Sequence, residues 1–597
     1  MGLQSGSGQS VGPLGNILIF LAIFVQLVVA WQAACCNAEE PKSADNSVLM
    51  PGRSRQQSFA GGPLAYFTEP DFVGSSRCAV CHTDLKDSQG NDMSITNHWR
   101  STMMANAAKD PLWQAKVASE VFRNPAIKDV IEKKCVTCHM PMAWTQQNAL
   151  SKVYQADQGG VFAGFLKDSS QLHAAAMDGV SCSLCHQIED KNLGEKAGFS
   201  GKFSIDTKTE PPNRLLFGPY RDPLRGTMQT SLGFDPVFGA QTNDSALCAT
   251  CHTLFTPYLD SNGMVAGEFP EQVAYLEWLN SSYAEQSGKR HEIGETAGTT
   301  RLCQECHMPH SPAGGVIIAK YAPRAAKPKD HFSQHHFVGG NVFMLNVLAD
   351  NAAKLDLSVS TATLEATRER TIRQLQGKTA NIAIHSVAIS GDVLTATVRV
   401  ENQAGHKFPT GFPSRRAWIC FSVLDKAGNP VFKSGKALAD GRISGNDSDQ
   451  SSAAFEPHYE LITKTNQVQI YEAVMRDTDN RLTYTLLRAA SYAKDNRLLP
   501  RGFDKNKADA AIAVYGDARQ DQNFIGGSDE VVYQVKLDKA NGPYSVKAEL
   551  YYSSISAAFM QDLAADDRVA LVKRFVGMYN RADKLPVLVA AAQVITQ

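Results

Sequence analysis

The sequence lacks an excess of either charge. It contains 59 Lys and Arg against 60 Asp and Glu, which gives a formal net charge of -1. Because Lys and Arg are not in excess, the composition does not indicate nucleic-acid binding. Because Asp and Glu are not in excess either, it does not indicate an acidic, solvent-exposed tail. Hydrophobic residues make up 43% of the 597 residues and charged residues 20%, so the chain can bury packed cores and is not disordered throughout.

Long apolar runs are also scarce. The one extended run, Ile17 to Trp31, has 15 residues and is short for a membrane span of about 20. It suits the hydrophobic region of a signal peptide, although the first 15 residues contain no Lys or Arg. We expect residues 1–38 to be a signal peptide or N-terminal anchor that is cleaved, lipidated or retained. Export follows from this, and membrane association through the N-terminus stays open.

Cysteine and histidine carry the strongest pattern in the chain. The sequence C-x-x-C-H occurs five times and uses ten of the 13 cysteines, far more often than random placement would give. In c-type haem attachment the two thiols bond to the porphyrin, and the adjacent His is an axial ligand of the iron. The motifs therefore predict five c-type haems, attached through Cys78, Cys81, Cys135, Cys138, Cys182, Cys185, Cys248, Cys251, Cys303 and Cys306. The proximal iron ligands are then His82, His139, His186, His252 and His307.

Other functions of the C-x-x-C spacing fit this sequence poorly. Zinc ribbons pair two such knuckles to supply four ligands, and five knuckles that each end in His do not pair. A disulfide framework does not repeat one tight spacing, and redox-active motifs do not occur as five copies in one chain. The first cysteines of successive motifs lie only 47 to 66 residues apart. Because so short a segment cannot build its own core, we expect the porphyrins to form much of the interior and to lie close together.

The sixth position of each iron decides the chemistry. A second His gives a low-potential electron carrier, Met raises the potential, and an open position permits catalysis. Ten histidines lie outside the motifs, and we expect distal ligands among five of them: His98, His173, His310, His336 and His406. His335 is the rival of His336, and Met228 is an alternative thioether ligand. His385, His291 and His458 are expected to take no part, and Cys420 is expected to be a buried small hydrophobe.

The distribution of patterns along the chain predicts two different halves. Residues 39–70 are rich in Pro, Ser, Gly and Gln and indicate a flexible tether. We expect residues 71–345 to form a pentahaem domain, mainly helix and loop, with helical patches from Leu112 to Ile131 and from Gln272 to Ala284. A helical connector is expected over residues 346–380.

Strand patterns dominate the second half. Leu394 to Val400 alternates as a half-buried strand, and Trp418 to Val423 suits a strand buried on both faces. Turns at Asp425–Pro430 and Asp538–Pro543 each predict a hairpin. We expect a β-sandwich-like domain over residues 381–556 and a helical tail over residues 557–597, so the fold class is α+β and multidomain.

Several segments resemble the multihaem cytochrome c family. They are SSRCAVCH with NHWRSTM, KKCVTCHMPM, DGVSCSLCHQI, LCATCH, LCQECHMP and HHFVGGN, between Ser75 and Asn341. NQAGHKFPTGFPSRRAW and YAKDNRLLPRGFDK resemble a β-rich C-terminal module fused to such cytochromes. The resemblance implies an exported electron-transfer protein with closely packed, mostly bis-His haems. The Lys-containing attachment motif of cytochrome c nitrite reductase is absent, which argues against close kinship with that enzyme.

The leading hypothesis is an electron carrier that passes electrons to periplasmic or extracellular acceptors and catalyses no bond rearrangement. Negative haem propionates favour a redox partner with a basic surface. One alternative is a haem reductase of the nitrite or hydroxylamine type with one open iron, where Arg415 and Arg416 could hold an anion. Another is a homo-oligomer, the protomer of a conductive filament.

Overall fold

The computed structural model describes residues 60–149, 160–284, 300–538 and 542–596. The chain separates into two compact units, Met1–Gln57 and Ser58–Gln597. The expected leader, Cys35 and Cys36, most of the expected tether and His291 lie outside the described residues. Within the described ranges, no helix is both long and apolar enough to cross a membrane.

Short helices dominate the described chain up to residue 310. They are α1 Ser75–His82, α2 Ile95–Arg100, α3 Pro111–Arg123, α4 Lys128–His139, α5 Pro141–Ala149, α6 Val161–Phe165, α7 His173–Met177, α8 Cys182–Cys185, α9 Arg225–Leu232, α10 Ser245–His252, α11 Ala274–Leu279 and α12 Cys303–His307. Two small sheets add to the expected helices and loops. In one, β1 Arg214–Gly218 pairs in parallel with β2 Phe234–Phe238, and in the other β3 Leu254–Leu259 pairs antiparallel with β4 Val265–Gln272.

Local sequence explains where these helices begin and end. Asp110 accepts hydrogen bonds from the backbone N–H groups of Leu112 and Trp113, and Pro111 is the first residue of α3. The expected patch from Leu112 to Ile131 is two helices, because α3 ends at Arg123 just before Asn124 and Pro125. Proline disfavours a helical conformation in the residue that precedes it.

The connector consists of two further helices, α13 Val342–Asp350 and α14 Thr361–Lys378. Beyond them lie the strands β5 Ala380–Ser390, β6 Val393–Asn402, β7 Arg416–Leu424, β8 Pro430–Ser434, β9 Leu461–Ile462, β10 Ile470–Arg476, β11 Leu482–Thr483, β12 Ser491–Asp495, β13 Ser528–Lys536 and β14 Ser545–Ser553. The chain ends with helices α15 Ala557–Ala564 and α16 Ala570–Arg581 and strand β15 Val587–Ile595.

The second half is β-rich and contains two larger sheets. One has the strand order β5-β6-β13-β9, and the other has the order β11-β10-β7-β14-β15, with β12 paired to β10 and β8 paired to β7. Side chains of both sheets belong to one hydrophobic cluster, and the ring of Phe421 on β7 stacks on Tyr533 of β13 at 3.9 Å. The alternating burial of β6, the complete burial of most of β7 and the β7–β8 hairpin are as predicted.

Two expectations for this half are wrong. Strands β13 and β14 do not form a hairpin, since β13 pairs with β6 and β9 whereas β14 pairs with β7 and β15. The connection around Asp538–Pro543 therefore passes from one sheet to the other. The end of the chain is not helical throughout either, because Val587–Ile595 adds a strand beside β14.

Helices α15 and α16 pack back onto earlier parts of the chain. Leu345 and Leu348 of α13 share a buried cluster with Phe559, Leu563 and Phe575. On α3, Arg123 forms ion pairs with Asp562 at 2.9 Å and with Asp566 at 2.7 Å. The last helices thus fasten the β-rich half to the helical half.

Candidate functional site

All five C-x-x-C-H motifs lie at the carboxyl ends of helices. Helices α1, α4, α10 and α12 end on the motif histidine, and α8 ends one residue before His186. Residues three positions apart share one face of a helix, so both thiols of a motif point to the same side with the histidine beside them. This local geometry explains why the two cysteines are separated by two residues.

The five motifs line one connected cavity of 1130 Å³. All ten motif cysteines and all five motif histidines contribute to its wall. The cavity exceeds the range of about 300–1,000 Å³ that is usual for a single small-molecule site. Among the non-motif histidines of the described ranges, His335 and His406 also line it. The interior of the helical half is therefore built around this space.

Burial opposes ionisation of several motif thiols. It raises the pKa of Cys185 to about 12 and the pKa of Cys135 well above its ordinary value. A metal such as zinc is held by the ionised sulfur, and an apolar wall opposes that ionisation. A thioether carries no charge, so the same environment suits covalent attachment of an apolar group. The residues present therefore fit haem better than zinc.

Thiols of different motifs also lie in contact. The side chains of Cys78 and Cys182 are within hydrogen-bonding distance, as are those of Cys138 and Cys251 and those of Cys248 and Cys303. The first motif therefore adjoins the third, the second adjoins the fourth, and the fourth adjoins the fifth.

Hydrogen bonds fix the orientation of most motif histidines. The Nδ1 atoms donate to backbone carbonyls in four of them: His82 to Ile318 at 2.7 Å, His139 to Ala107 at 3.2 Å, His186 to Phe217 at 2.6 Å and His307 to Val338 at 2.5 Å. This contact holds the tautomer whose Nε2 is free to bind a metal. Burial also lowers the pKa of His139 to about 4, which favours the neutral ring that ligation requires.

Two motif histidines face a second histidine at a distance that suits a shared metal. The ring centroids of His186 and His335 are 6.4 Å apart, and those of His307 and His406 are 6.3 Å apart. Two metal–nitrogen bonds of about 2 Å, together with the distance from each nitrogen to its ring centroid, span about 6 Å. The Nδ1 atoms of His335 and His406 donate to the carbonyls of Ser333 and Lys407, which again leaves Nε2 available.

The expectation preferred His336 to its neighbour His335 as a distal ligand. His335 lines the cavity, whereas His336 is not among the lining residues. The ring of His336 instead lies 4.4 Å from that of His98 on α2, too close for an iron between them. His98 is buried, and its Nδ1 has no hydrogen-bond partner among the described residues.

The remaining candidate ligands are His173, His310 and Met228. His173 begins α7, where its Nδ1 donates to Phe165 and its Nε2 lies 3.5 Å from the carboxylate of Asp168. His310 packs edge-on against His331 at 5.5 Å. Met228 on α9 lines the cavity.

The β-rich half contains one histidine whose environment the sequence did not indicate. His458 is buried, and its Nε2 lies 3.0 Å from Asp521 and 3.9 Å from Asp529. Its Nδ1 accepts from the side-chain amides of Gln469 and Asn496 at 2.9 and 3.1 Å. The proton is therefore on Nε2, which faces the carboxylates of Asp521 and Asp529.

The remaining residues singled out above have structural roles. Cys420 is buried in the β-rich core, as expected. Arg416 is fully buried and paired with Asp449 at 2.9 Å, which removes it as an anion-binding group. His385 is exposed on β5, 3.4 Å from the Glu530 carboxylate.

Comparisons with known proteins give a family match for one segment of the chain and one similar solved structure. Residues 77–187, which include the first three motifs, match the family described as cytochrome c554 and c-prime. This segment is similar to cytochromes of the c type. The chain is also similar to the crystal structure of a penta-heme cytochrome c552 from Thermochromatium tepidum, with 15% identity and a TM-score of 0.46, over 88% of this chain and 100% of that one. None of the curated proteins matches it.

Proposed function

We propose that this chain is an exported electron carrier with five covalently attached haems. The observation that carries the proposal is the single cavity into which all ten motif cysteines and all five motif histidines open. Bound haem supplies the redox chemistry, and the chain supplies spacing, axial ligands and exclusion of water. Redox proteins or extracellular acceptors are the proposed partners.

We propose further that the electron path does not follow the order of the motifs in the sequence. Contacts between thiols join the first motif to the third, the second to the fourth and the fourth to the fifth. Cys185 of the third motif also lies near Cys251 of the fourth, since the two interact electrostatically. The fourth motif thus has three neighbours, and the proposed path branches there.

The same geometry supports two assignments of distal ligands. We assign His335 to the iron of His186 and His406 to the iron of His307, and we retain His98, His173, His310 and His336 as proposals for the others. His406 lies between β6 and β7, so the β-rich half would complete the fifth haem site. We propose that its two larger sheets form a sandwich-like module that presents this histidine.

The count of haems is tested by mass. The protein is expressed with the haem-attachment machinery and exported, and its intact mass is measured. Five increments of about 0.6 kDa are expected. A Cys303→Ala/Cys306→Ala double variant, which keeps His307, serves as the matched control and is expected to lose one increment. Wild-type protein with free thiols and no added mass would refute the proposal.

A reductase remains the second candidate because of one residue. Arg415 lines the cavity, and its charge acts together with burial and His307 to lower the pKa of His252 to about 4. An iron on His252 with an open sixth position would therefore face a cation that attracts an anionic substrate.

Spectra separate the two functions. A carrier with bis-His haems has a low-spin ferric spectrum and does not bind carbon monoxide after reduction. A high-spin fraction of about one haem in five, altered by nitrite, would favour the reductase. Sedimentation at high concentration then tests the filament alternative, which a monodisperse monomer excludes.

A further inference from the structure

A buried network of four charged side chains lies beside the proposed fifth haem site. Arg497 lies 2.9 Å from Glu277 and donates two hydrogen bonds to Asp495, at 2.9 and 2.8 Å. Lys407 donates to the same Asp495 carboxylate at 2.7 Å. Lys407 and Glu277 are 0% exposed, and the other two are nearly so. Two cations therefore balance two anions in a space that excludes water.

The network joins the two halves of the molecule. Glu277 belongs to α11 in the helical half, whereas Asp495 and Arg497 lie in and just after β12 in the β-rich half. Lys407 follows His406 directly in the chain. The ion pairs thus cross from the helix that precedes the fifth motif to the segment that carries the proposed distal ligand.

Glu277 binds the backbone next to His406 in addition to forming its ion pair with Arg497. Its Oε2 accepts from the backbone N–H of Lys407 at 3.1 Å and from the Thr410 hydroxyl at 2.6 Å. On the opposite side, the Asn402 side chain donates to the His406 carbonyl at 2.8 Å. The segment carrying His406 is therefore held from both directions.

A glycine allows this close approach. A Cβ atom at Gly405 would lie 3.1 Å from Cδ1 of Trp278, the residue that follows Glu277. That distance is tighter than ordinary van der Waals contact. Gly405, which precedes His406, therefore packs closely against α11. Lys407, which follows His406, is bound to Glu277 of the same helix.

The charges in the network are strongly coupled. Burial alone would raise the pKa of Asp495, but Arg497 and Lys407 lower it to about 2. Removing one member of such a buried network leaves its partner charged and unpaired, which is more disruptive than the loss of a surface ion pair. The network therefore has one low-energy arrangement, and that arrangement fixes where His406 lies.

We propose that Glu277 is a positioning residue: through Lys407, Thr410 and the ion pairs with Arg497 and Asp495, it holds His406 in place as the distal ligand of the fifth haem. Ligation of that haem then depends on docking of the β-rich half onto α11. This inference rests on the proposed function, because it requires His406 to be an iron ligand.

The test compares Glu277→Ala with Glu277→Gln in the fully loaded, full-length protein. The Ala variant removes the acceptor for Lys407 and Thr410, and the Gln variant keeps an oxygen acceptor but removes the charge. Glu268→Ala is the matched control, because Glu268 lies on the neighbouring strand β4 and is exposed. His406→Ala gives the signal for complete loss of the ligand. The readouts are the high-spin fraction by electron paramagnetic resonance and the individual haem potentials.

In Glu277→Ala we expect up to one haem in five to become high-spin, and added imidazole is expected to restore the low-spin signal. In Glu277→Gln we expect the ligand to stay bound and the potential of one haem to rise, because the uncompensated Arg497 disfavours the ferric state. Glu268→Ala is expected to match the wild type. Should Glu277→Ala fail to fold, Thr410→Val removes one donor to Glu277 and is expected to change the same haem signal to a smaller extent.

The outcomes separate the inference from the function on which it rests. If His406→Ala gives a high-spin haem while Glu277→Ala and Thr410→Val leave every signal and potential unchanged, the positioning role is refuted. If His406→Ala itself leaves all haems low-spin, the ligand assignment fails first. A lower melting temperature without any spectral change also counts against the inference, since a purely structural residue behaves in that way.

Discussion

Glu271 is a buried carboxyl group that we expect to titrate near neutral pH. It lies on β4, lines the cavity and accepts a hydrogen bond from the Thr256 hydroxyl at 2.6 Å. Burial raises its pKa to about 7, and the neighbouring Glu120 acts in the same direction, whereas Lys116 and Lys134 oppose the rise. Glu271 also contributes to the raised pKa of Cys135, which places it near the second motif.

The effect on stability has a definite sign. In the unfolded chain the carboxyl ionises near its ordinary pKa of 4.5, but in the folded protein it stays protonated until about pH 7. The folded state is therefore progressively destabilised as the pH rises from about 4.5 to 7, and the loss is complete above that window. At 1.36 kcal/mol for each pH unit between the two pKa values, the loss amounts to about 3 kcal/mol.

The variant that tests this is Glu271→Gln, which keeps the shape and cannot ionise. Equilibrium unfolding in guanidinium is measured at pH 5 and pH 8 for the wild type, for Glu271→Gln and for Glu268→Gln, a control on the exposed side of the same strand. We expect the stability of Glu271→Gln relative to the wild type to increase by about 2.5 kcal/mol between the two pH values. Parallel curves for the wild type and Glu271→Gln would refute the buried titration.

The same group is expected to couple proton and electron transfer. Deprotonation of Glu271 adds a negative charge near the second motif and stabilises ferric iron there, so one potential is expected to fall as the pH rises through about 7. The slope cannot exceed about 59 mV for each pH unit in a one-electron step. In Glu271→Gln we expect this slope to disappear and the potential at pH 8 to be higher. A slope retained in the variant would assign the coupling to another group.

Three further predictions test separate parts of the structure. His335→Ala is expected to make one haem high-spin, whereas His336→Ala keeps that haem low-spin; the reverse result, read by electron paramagnetic resonance, would exchange the two assignments. His458→Ala leaves Asp521 without its buried donor and is expected to cost about 3 kcal/mol in guanidinium unfolding with no change in the haem spectrum. Arg123→Ala removes two partly exposed ion pairs between α3 and the C-terminal helices, and calorimetry is expected to show a melting temperature lower by a few degrees; an unchanged value would mean that these pairs do not fasten the two halves.

Local sequence patterns predicted the strands and turns whose structure depends on neighbouring residues alone. The alternation from Leu394 to Val400 indicated β6, because successive strand residues face opposite sides. The turn at Asp425–Pro430 indicated a hairpin, because it joins two strands that pair with each other. The turn at Asp538–Pro543 has similar composition but joins two sheets. Turn chemistry specifies that the chain reverses and leaves open which partner the next strand meets.

In the candidate site, too, local rules predicted some of the residues and left others open. The spacing within each motif is a property of one helical turn, so the motif residues could be found from sequence alone. The distal ligands depend on contacts between segments far apart in the chain, as when His406 reaches the cavity across 99 residues from His307. His335 and His336 are adjacent, and only the direction of the backbone decides which of them faces inward.

The ionic network around Glu277 had no local signal at all. Its members are separated by up to 220 residues, and each resembles an ordinary surface charge in sequence. Burial reveals them, because charges that are 0% to 6% exposed persist only when they are paired.

The distribution of hydrophobic packing explains why the two halves depend on each other. The largest buried cluster joins the two larger sheets of the β-rich half, whereas the interior of the helical half is the cavity lined by the five motifs. Helices of four to thirteen residues around such a space bury little apolar surface against one another, so their stability must come from what fills the cavity and from the β-rich half that closes it. The proposed distal ligand His406, which belongs to the β-rich half, would link these two sources of stability. Haem attachment, docking and ligation of the fifth iron would then form one cooperative process rather than three independent ones.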